Sequence, residues 1–204
     1  MVETETDIAI VGAGPAGLIA AREAAKRGAD VTVLEEHGEI GNPCHCAGLL
    51  SLKGLTEIHV PLDKSFIQNK VKGARFFSPS MLSFAVERDE PVACVVNREF
   101  FDKFLARQAT QAGADLRLNS KVKSIKRLDG KILLIGDFGT MKADIIVDAE
   151  GVSSHLVKEV GLQPLPAKHL LPALQHDLTG VDVDPNYVEV HIGRKMAPRF
   201  FAWV

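Results

Sequence analysis

The chain has 204 residues, 46% of them hydrophobic and 25% charged, a globular balance able to bury a core. A formal charge of −2 argues against the basic face that nucleic-acid binding demands. No stretch approaches the ~18 uninterrupted apolar residues of a membrane-spanning helix, and the acidic start, residues 1–7, lacks the basic-then-apolar pattern of a signal peptide. A cytoplasmic location is therefore expected, with peripheral contact at a membrane surface left open.

Residues 7–11 (DIAIV) are a compact apolar run ending in glycine, the pattern of a buried parallel strand. Gly12-Ala13-Gly14-Pro15-Ala16-Gly17 follows at once. Residues 18–27 are alanine-rich helix formers, stopped by Gly28. Residues 31–34 (VTVL) predict a second parallel strand with Glu35 at its end. Strand, glycine turn, helix and strand within so short a span define a βαβ unit.

Farther along, residues 75–86 and 93–96 read as strands separated by a turn at 88–91. Residues 98–111 have helical spacing, with Phe101, Leu105 and Ala109 on one face and Gly113 as the stop. Residues 115–118, 122–128 and 131–136 predict strands, the last two joined by an Asp129-Gly130 hairpin turn. Residues 143–149 (ADIIVDA) form another buried strand, closed by Glu150-Gly151, and a short helix is expected over 153–160. Alternating strands at 173–179, 187–192 and 199–204 complete the chain. Further turns fall at Gly41-Asn42-Pro43, Ser78-Pro79, Glu90-Pro91 and Pro164-Leu165-Pro166.

The expected fold class is α/β: a Rossmann-like dinucleotide-binding domain over residues 1–62 and 97–163, interleaved with a mostly β substrate domain over 63–96 and 164–204.

The glycine turn carries the chemistry. Gly12 allows the tight turn after the strand, Gly14 lets the backbone approach a pyrophosphate, and Gly17 lets the helix pack close to the sheet. The helix N-terminus, with Pro15 and Ala16 in its first turn, then faces the anion with unpaired N–H groups and a partial positive charge. Glu35 is placed to accept hydrogen bonds from ribose hydroxyls, and its charge opposes a 2′-phosphate, so NADP is not expected in this site.

Val96-Asn97-Arg98-Glu99-Phe100-Phe101-Asp102 and Val147-Asp148-Ala149-Glu150-Gly151 resemble two motifs of the FAD-dependent p-hydroxybenzoate hydroxylase fold. In that group an arginine opening a helix contacts the dinucleotide, and a late strand ends in an Asp-Gly-containing turn, where this chain has Glu150. The chain shows no second GxGxxG, so no separate NAD(P)H domain is indicated. The resemblance implies FAD as cofactor, with Arg98, Glu150 and Gly151 among its contacts, together with Glu36 beside Glu35 and Val122 at the start of a later strand.

Gly41-Asn42-Pro43-Cys44-His45-Cys46-Ala47-Gly48-Leu49-Leu50-Ser51 is the most distinctive segment. It resembles the cysteine-containing loop of the geranylgeranyl reductase family, flavoproteins that saturate isoprenoid double bonds. Ala197-Pro198-Arg199-Phe200-Phe201-Ala202-Trp203-Val204 is similar to the start of that family's substrate-cavity motif, with Phe201 where the family usually has Tyr. The resemblance covers essentially the whole chain and implies that it is the N-terminal portion of a longer reductase, truncated within the substrate motif and before a third FAD segment.

It further implies an isoprenoid lipid substrate, an external electron donor, Cys46, Ala47 and Gly48 near the flavin, a catalytic influence of Cys46 on proton delivery, and substrate contacts by Phe201 and Trp203. Phe76, Phe77, Phe84 and Phe200 are candidate walls of an apolar tunnel or ordinary core. A monooxygenase or halogenase of the same fold, and an inactive or electron-transfer flavoprotein fragment, are the alternatives.

Cys44, Cys46 and Cys94 are an odd number of thiols, expected to be free in a reducing compartment. No metal is expected at Cys44-His45-Cys46, because no second Cys or His pair partners it. His155, His169, His176 and His191 have no ligand spacing and read as surface or hydrogen-bonded residues.

Overall fold

The computed structural model describes residues 4–204; residues 1–3 of the acidic amino terminus lie outside the described part. In chain order the elements are β1 (Thr4–Val11), α1 (Pro15–Ala25), β2 (Val31–Leu34), β3 (Leu49–Ser51), α2 (Leu52–Glu57), β4 (Ile67–Val71), β5 (Gly73–Phe77), β6 (Ser83–Glu87) and β7 (Ala93–Val96). They continue with α3 (Arg98–Gln111), β8 (Asp115–Arg117), β9 (Val122–Leu128), β10 (Lys131–Gly136), β11 (Gly139–Asp148), α4 (Leu156–Glu159), β12 (Tyr187–Ile192) and β13 (Phe201–Trp203).

They form two compact units. The first runs to Cys44 and resumes over Glu99–Ala173; the second comprises His45–Arg98 and Leu174–Val204. Sequence spacing placed the first break near residue 62, but β3 hydrogen-bonds β7, so the segment after Cys44 packs with the second unit.

The first unit is built on a sheet of order β8-β2-β1-β11-β10-β9. β8, β2, β1 and β11 are parallel, while β10 and β9 return antiparallel. β1 therefore sits where strand order runs outward in both directions, and the crevice beyond its carboxyl end is where open α/β sheets bind ligands. β2 is buried at all four positions, as a central parallel strand should be.

Ala9, Val11, Leu34, Val122, Leu134, Met141, Ala143 and Leu156 make a buried core under this sheet. α1 is tied to α3 by the buried Arg22, whose guanidinium donates to Gln108 at 2.7 Å. The β9–β10 hairpin turns on Asp129 and Gly130, both at positive φ (52° and 82°), the backbone that an Asp-Gly pair tolerates.

The second unit holds two sheets, of order β3-β7-β4 and β13-β12-β5-β6. In the latter, the register pairs Phe76 with Phe84 and Val190, and Val190 with Trp203. Strand alternation then puts Ala74, Phe76, Phe84, Val86, Val188, Val190, Ile192, Phe201 and Trp203 on one face. The opposite face carries Arg75, Tyr187, Glu189 and His191, with Phe77 stacked on His191 at 4.7 Å.

Several expected elements differ. Residues 75–86 form two antiparallel strands rather than one, because Met81 takes a positive φ and its N–H donates to the Ser78 carbonyl. β4 and α2 were not expected. Residues 173–179 form no strand, since none pairs with them, and Leu174 is 85% exposed. The short helix expected over 153–160 is a 3-10 turn at Gly151–Ser153 followed by α4.

Candidate cofactor site

The site begins where β1 ends. Gly12 has φ +102°, and a Cβ there would lie 2.4 Å from the Ala149 carbonyl oxygen, so the turn requires glycine. The Ala149 N–H donates to the Val11 carbonyl at 2.8 Å, which binds the end of β11 to this turn. A Cβ on Gly17 would stand 2.0 Å from the Gly12 carbonyl oxygen, so α1 approaches the strand only because position 17 has no side chain.

Gly14 is different. It caps α1 in extended backbone (φ −73°, ψ 176°) with no side-chain cap, and a Cβ there would meet nothing within 4 Å. Neither conformation nor packing explains this glycine; open space at a helix start does. Pro15 has no N–H, and Ala16 and Gly17, in the first turn, have no intrahelical partner for theirs. No acidic side chain occupies that turn. Donors, dipole and room for a close approach meet the demands of a diphosphate.

Glu35 closes the site on one side. It is 9% exposed. Its Oε2 accepts from the Ala13 N–H at 2.8 Å, and its Oε1 accepts from the His37 N–H at 3.0 Å and from His37 Nδ1 at 2.6 Å. The carboxylate stands at the tip of α1, pinned between the glycine turn and the residue two positions on. An ionised carboxylate has about four acceptor sites, so one is left for a further donor.

On the other side, Glu150 is turned toward α4. Its Oε2 accepts from the N–H groups of His155 and Leu156 and from Ser154 Oγ, each at 3.1 Å, and His155 Nδ1 lies 2.5 Å from its Oε1. The Glu150 side chain thus binds the start of α4, and at this turn the Ala149 carbonyl and the Glu150 backbone nitrogen are what adjoin Gly12. Gly151 has φ +75° and open space around it.

Glu36 pairs with Lys121 at 2.6 Å. The hydrogen bond from Lys121 holds the Glu36 carboxyl below the usual range, and the same bond raises Lys121. Val122, at the start of β9, is buried in the core.

The structure brings together Gly12, Gly14, Pro15, Ala16, Gly17, Glu35, Glu150 and Gly151 around one turn of the first unit. Cys46, Ala47 and Gly48 belong to the second unit, where Gly48 packs against Val96: its φ is +77° and a Cβ would lie 2.3 Å from the Val96 carbonyl oxygen. Cys44 and Cys46 are exposed thiols and Cys94 is buried; desolvation raises the Cys94 thiol. Arg98 is the first residue of α3.

Phe201 and Trp203 lie in β13, and Phe76, Phe77, Leu82, Phe84 and Ile192 line an apolar groove of about 190 Å³ in the same unit. Phe76 and Phe84 stack with ring centroids 5.2 Å apart. Sequence reasoning missed the Ala13 N–H and His37 as partners of Glu35; the Glu-x-His spacing was the available signal. Among the described residues no cluster of three or more His, Cys, Asp or Glu could hold a metal.

A glycine turn that leaves open space at a helix start, with an acid at the next strand end, defines a dinucleotide-binding domain of the Rossmann class. The chain belongs to the FAD binding domain family, whose model matches residues 5–194. Over 97% of its length it is 32% identical to the digeranylgeranylglycerophospholipid reductase of Methanosarcina acetivorans and 35% identical to that of Thermoplasma volcanium. It covers 51% and 52% of those two proteins, so the chain spans about half the length of these relatives.

Among solved structures, a geranylgeranyl bacteriochlorophyll reductase-like protein of Thermoplasma acidophilum matches all of this chain at TM-score 0.85 and 30% identity, with 54% of that protein covered. The p-nitrophenol 4-monooxygenase of Pseudomonas putida, 19% identical at TM-score 0.68 over 79% of this chain and 45% of its own, shares the fold.

Proposed function

We propose that the chain is the FAD-binding portion of an oxidoreductase that saturates isoprenoid double bonds in membrane lipid biosynthesis. The observation that carries the cofactor half of this reading is Gly14, a glycine the fold does not need, set in open space before α1. The diphosphate takes the N–H groups of the first turn, Glu35 takes a ribose hydroxyl, and the backbone of Glu150 and Gly151 flanks the dinucleotide.

The substrate half rests on the likeness to the digeranylgeranylglycerophospholipid reductases and on the apolar face of the second unit. Bound reduced flavin supplies the hydride for such a reduction. The chain's own contribution is to hold the cofactor and to exclude water from an apolar path. Phe76, Phe84, Phe201 and Trp203 offer the surface along which an isoprenoid chain lies. Cys46 is assigned as the group that influences proton delivery, and Arg98, Ala47, Gly48, Glu36 and Val122 as further cofactor contacts, on the strength of the family resemblance.

The substrate and an external electron donor are reached from the cytoplasmic side, with peripheral contact at the membrane; no helix among the described residues is long and apolar enough to cross one. Anaerobic reoxidation of the reduced flavoprotein tests the reading. A geranylgeranyl lipid should reoxidise it, and Cys46→Ser should slow that step. Reoxidation by oxygen alone would point to a monooxygenase and overturn the reductase assignment.

A further inference from the structure

Glu35 is held in place before any ligand arrives. One oxygen is fixed by the glycine turn through the Ala13 N–H at 2.8 Å. A carboxylate held through one oxygen alone still swings about that bond. What removes the swing is His37, which reaches the second oxygen twice, through its backbone N–H at 3.0 Å and its ring Nδ1 at 2.6 Å. The ring bond is the shorter of the two and involves an ionised acceptor, the stronger kind of hydrogen bond.

Because an ionised carboxylate only accepts, Nδ1 is the donor in this pair. His37 lies three residues past the end of β2, and its carbonyl accepts from the Asn119 N–H at 3.0 Å, while the Glu35 carbonyl accepts from the Ser120 N–H at 2.7 Å. The backbone that carries both residues is therefore anchored to the segment before β9. The ring, 47% exposed with its carboxylate partner 12% exposed, is the half-solvated side of an otherwise buried clamp.

From this geometry we infer that His37 is a positioning residue for adenosine-diphosphate recognition: its ring fixes the Glu35 carboxylate so that the remaining acceptor site faces a ribose hydroxyl. The inference rests on the reading of this turn as an FAD site. His37 touches no ligand itself. It acts through Glu35 and lowers the ordering cost that binding would otherwise meet. It also sets an additional donor against the Glu35 charge, which stands beside the incoming diphosphate.

The test is a calorimetric titration of the parent, His37→Leu and His37→Asn with FAD, with ADP and with FMN, alongside thermal melts without ligand. Asn carries a side-chain N–H close to the place of Nδ1, whereas Leu has none. His37→Leu is expected to weaken FAD and ADP by up to about tenfold, because a loosened Glu35 side chain must then be ordered on binding, with FMN, which has no adenosine, unchanged. His37→Asn is expected to recover binding to within about threefold of the parent.

Equal ADP affinity in the parent and His37→Leu overturns the inference and leaves the FAD reading standing. The same holds if Asn is no better than Leu, or if FMN weakens in parallel. A parent that takes up neither FAD nor ADP overturns both.

Discussion

The Ala13 N–H and the Glu35 carboxylate meet at 2.8 Å across 22 residues of sequence, and that bond joins the glycine turn to the end of β2. It makes the acid a structural partner of the loop as well as the proposed ribose contact. Removing it leaves a donor stranded in a buried turn, which costs about 1–3 kcal/mol. Glu35→Ala should therefore lower unfolding free energy by that amount in urea titration and also abolish measurable ADP binding. Glu35→Gln, which keeps an acceptor for Ala13, should melt closer to the parent while still binding ADP more weakly.

Gly14 and Gly17 separate ligand need from packing need. Gly14→Ala places its methyl in open space, so stability should change by less than about 0.5 kcal/mol, while FAD affinity falls at least tenfold as the methyl stands in the approach to the helix N-terminus. Gly17→Ala drives a Cβ to 2.0 Å from the Gly12 carbonyl oxygen and should cost about 3 kcal/mol. Denaturant melts and flavin fluorescence titration on both variants check the contrast.

In the core, Leu134 is fully buried in β10 and packs with Met141, Ala143 and Leu156. Leu134→Ala should destabilise the first unit by about 2–5 kcal/mol, read as an earlier unfolding transition.

The βαβ unit was legible because each part carries its own local signal: an apolar run, three glycines with distinct steric duties, and an acid at the second strand end. The β9–β10 hairpin and α3 were legible for the same reason. What stayed hidden depends on partners distant in sequence. β4 (IQNKV) alternates with polar residues and reads as loop until β7 pairs with it. The segment 173–179 has strand-like residues but nothing to pair with, and remains irregular. At the site, the Glu150 carboxylate accepts from the His155 and Leu156 N–H groups at the start of α4. Only the position of the helix after the turn reveals that commitment.

The Glu36–Lys121 pair predicts a pH signature. The Glu36 carboxyl is lowered from its ordinary 4.5 by the Lys121 hydrogen bond, so its contribution is present above pH 4.5 and lost as pH falls through the depressed value. Lys121 is raised from 10.5; its share is present below pH 10.5 and lost as pH rises through the raised value. The pair is exposed and screened by salt, so the effect is small. The melting difference between the parent and Lys121→Met should stay flat from pH 5 to 10 and close at strongly acid pH.

Phe84 tests the apolar face of the second unit. It is 64% exposed and its stacking on Phe76 contributes about 0.5–1.5 kcal/mol. Phe84→Ser should remain folded, with a loss no larger than that, while weakening the binding of a short prenyl alcohol measured by tryptophan fluorescence of Trp203.

The most direct test of the central claim is a crystal structure of the chain grown with FAD. Diphosphate oxygens within hydrogen-bond distance of the Ala16 and Gly17 N–H groups, with a ribose hydroxyl on Glu35, are the predicted result. FAD bound with its diphosphate away from the start of α1, or ordered crystals without FAD at saturating concentration, would contradict it.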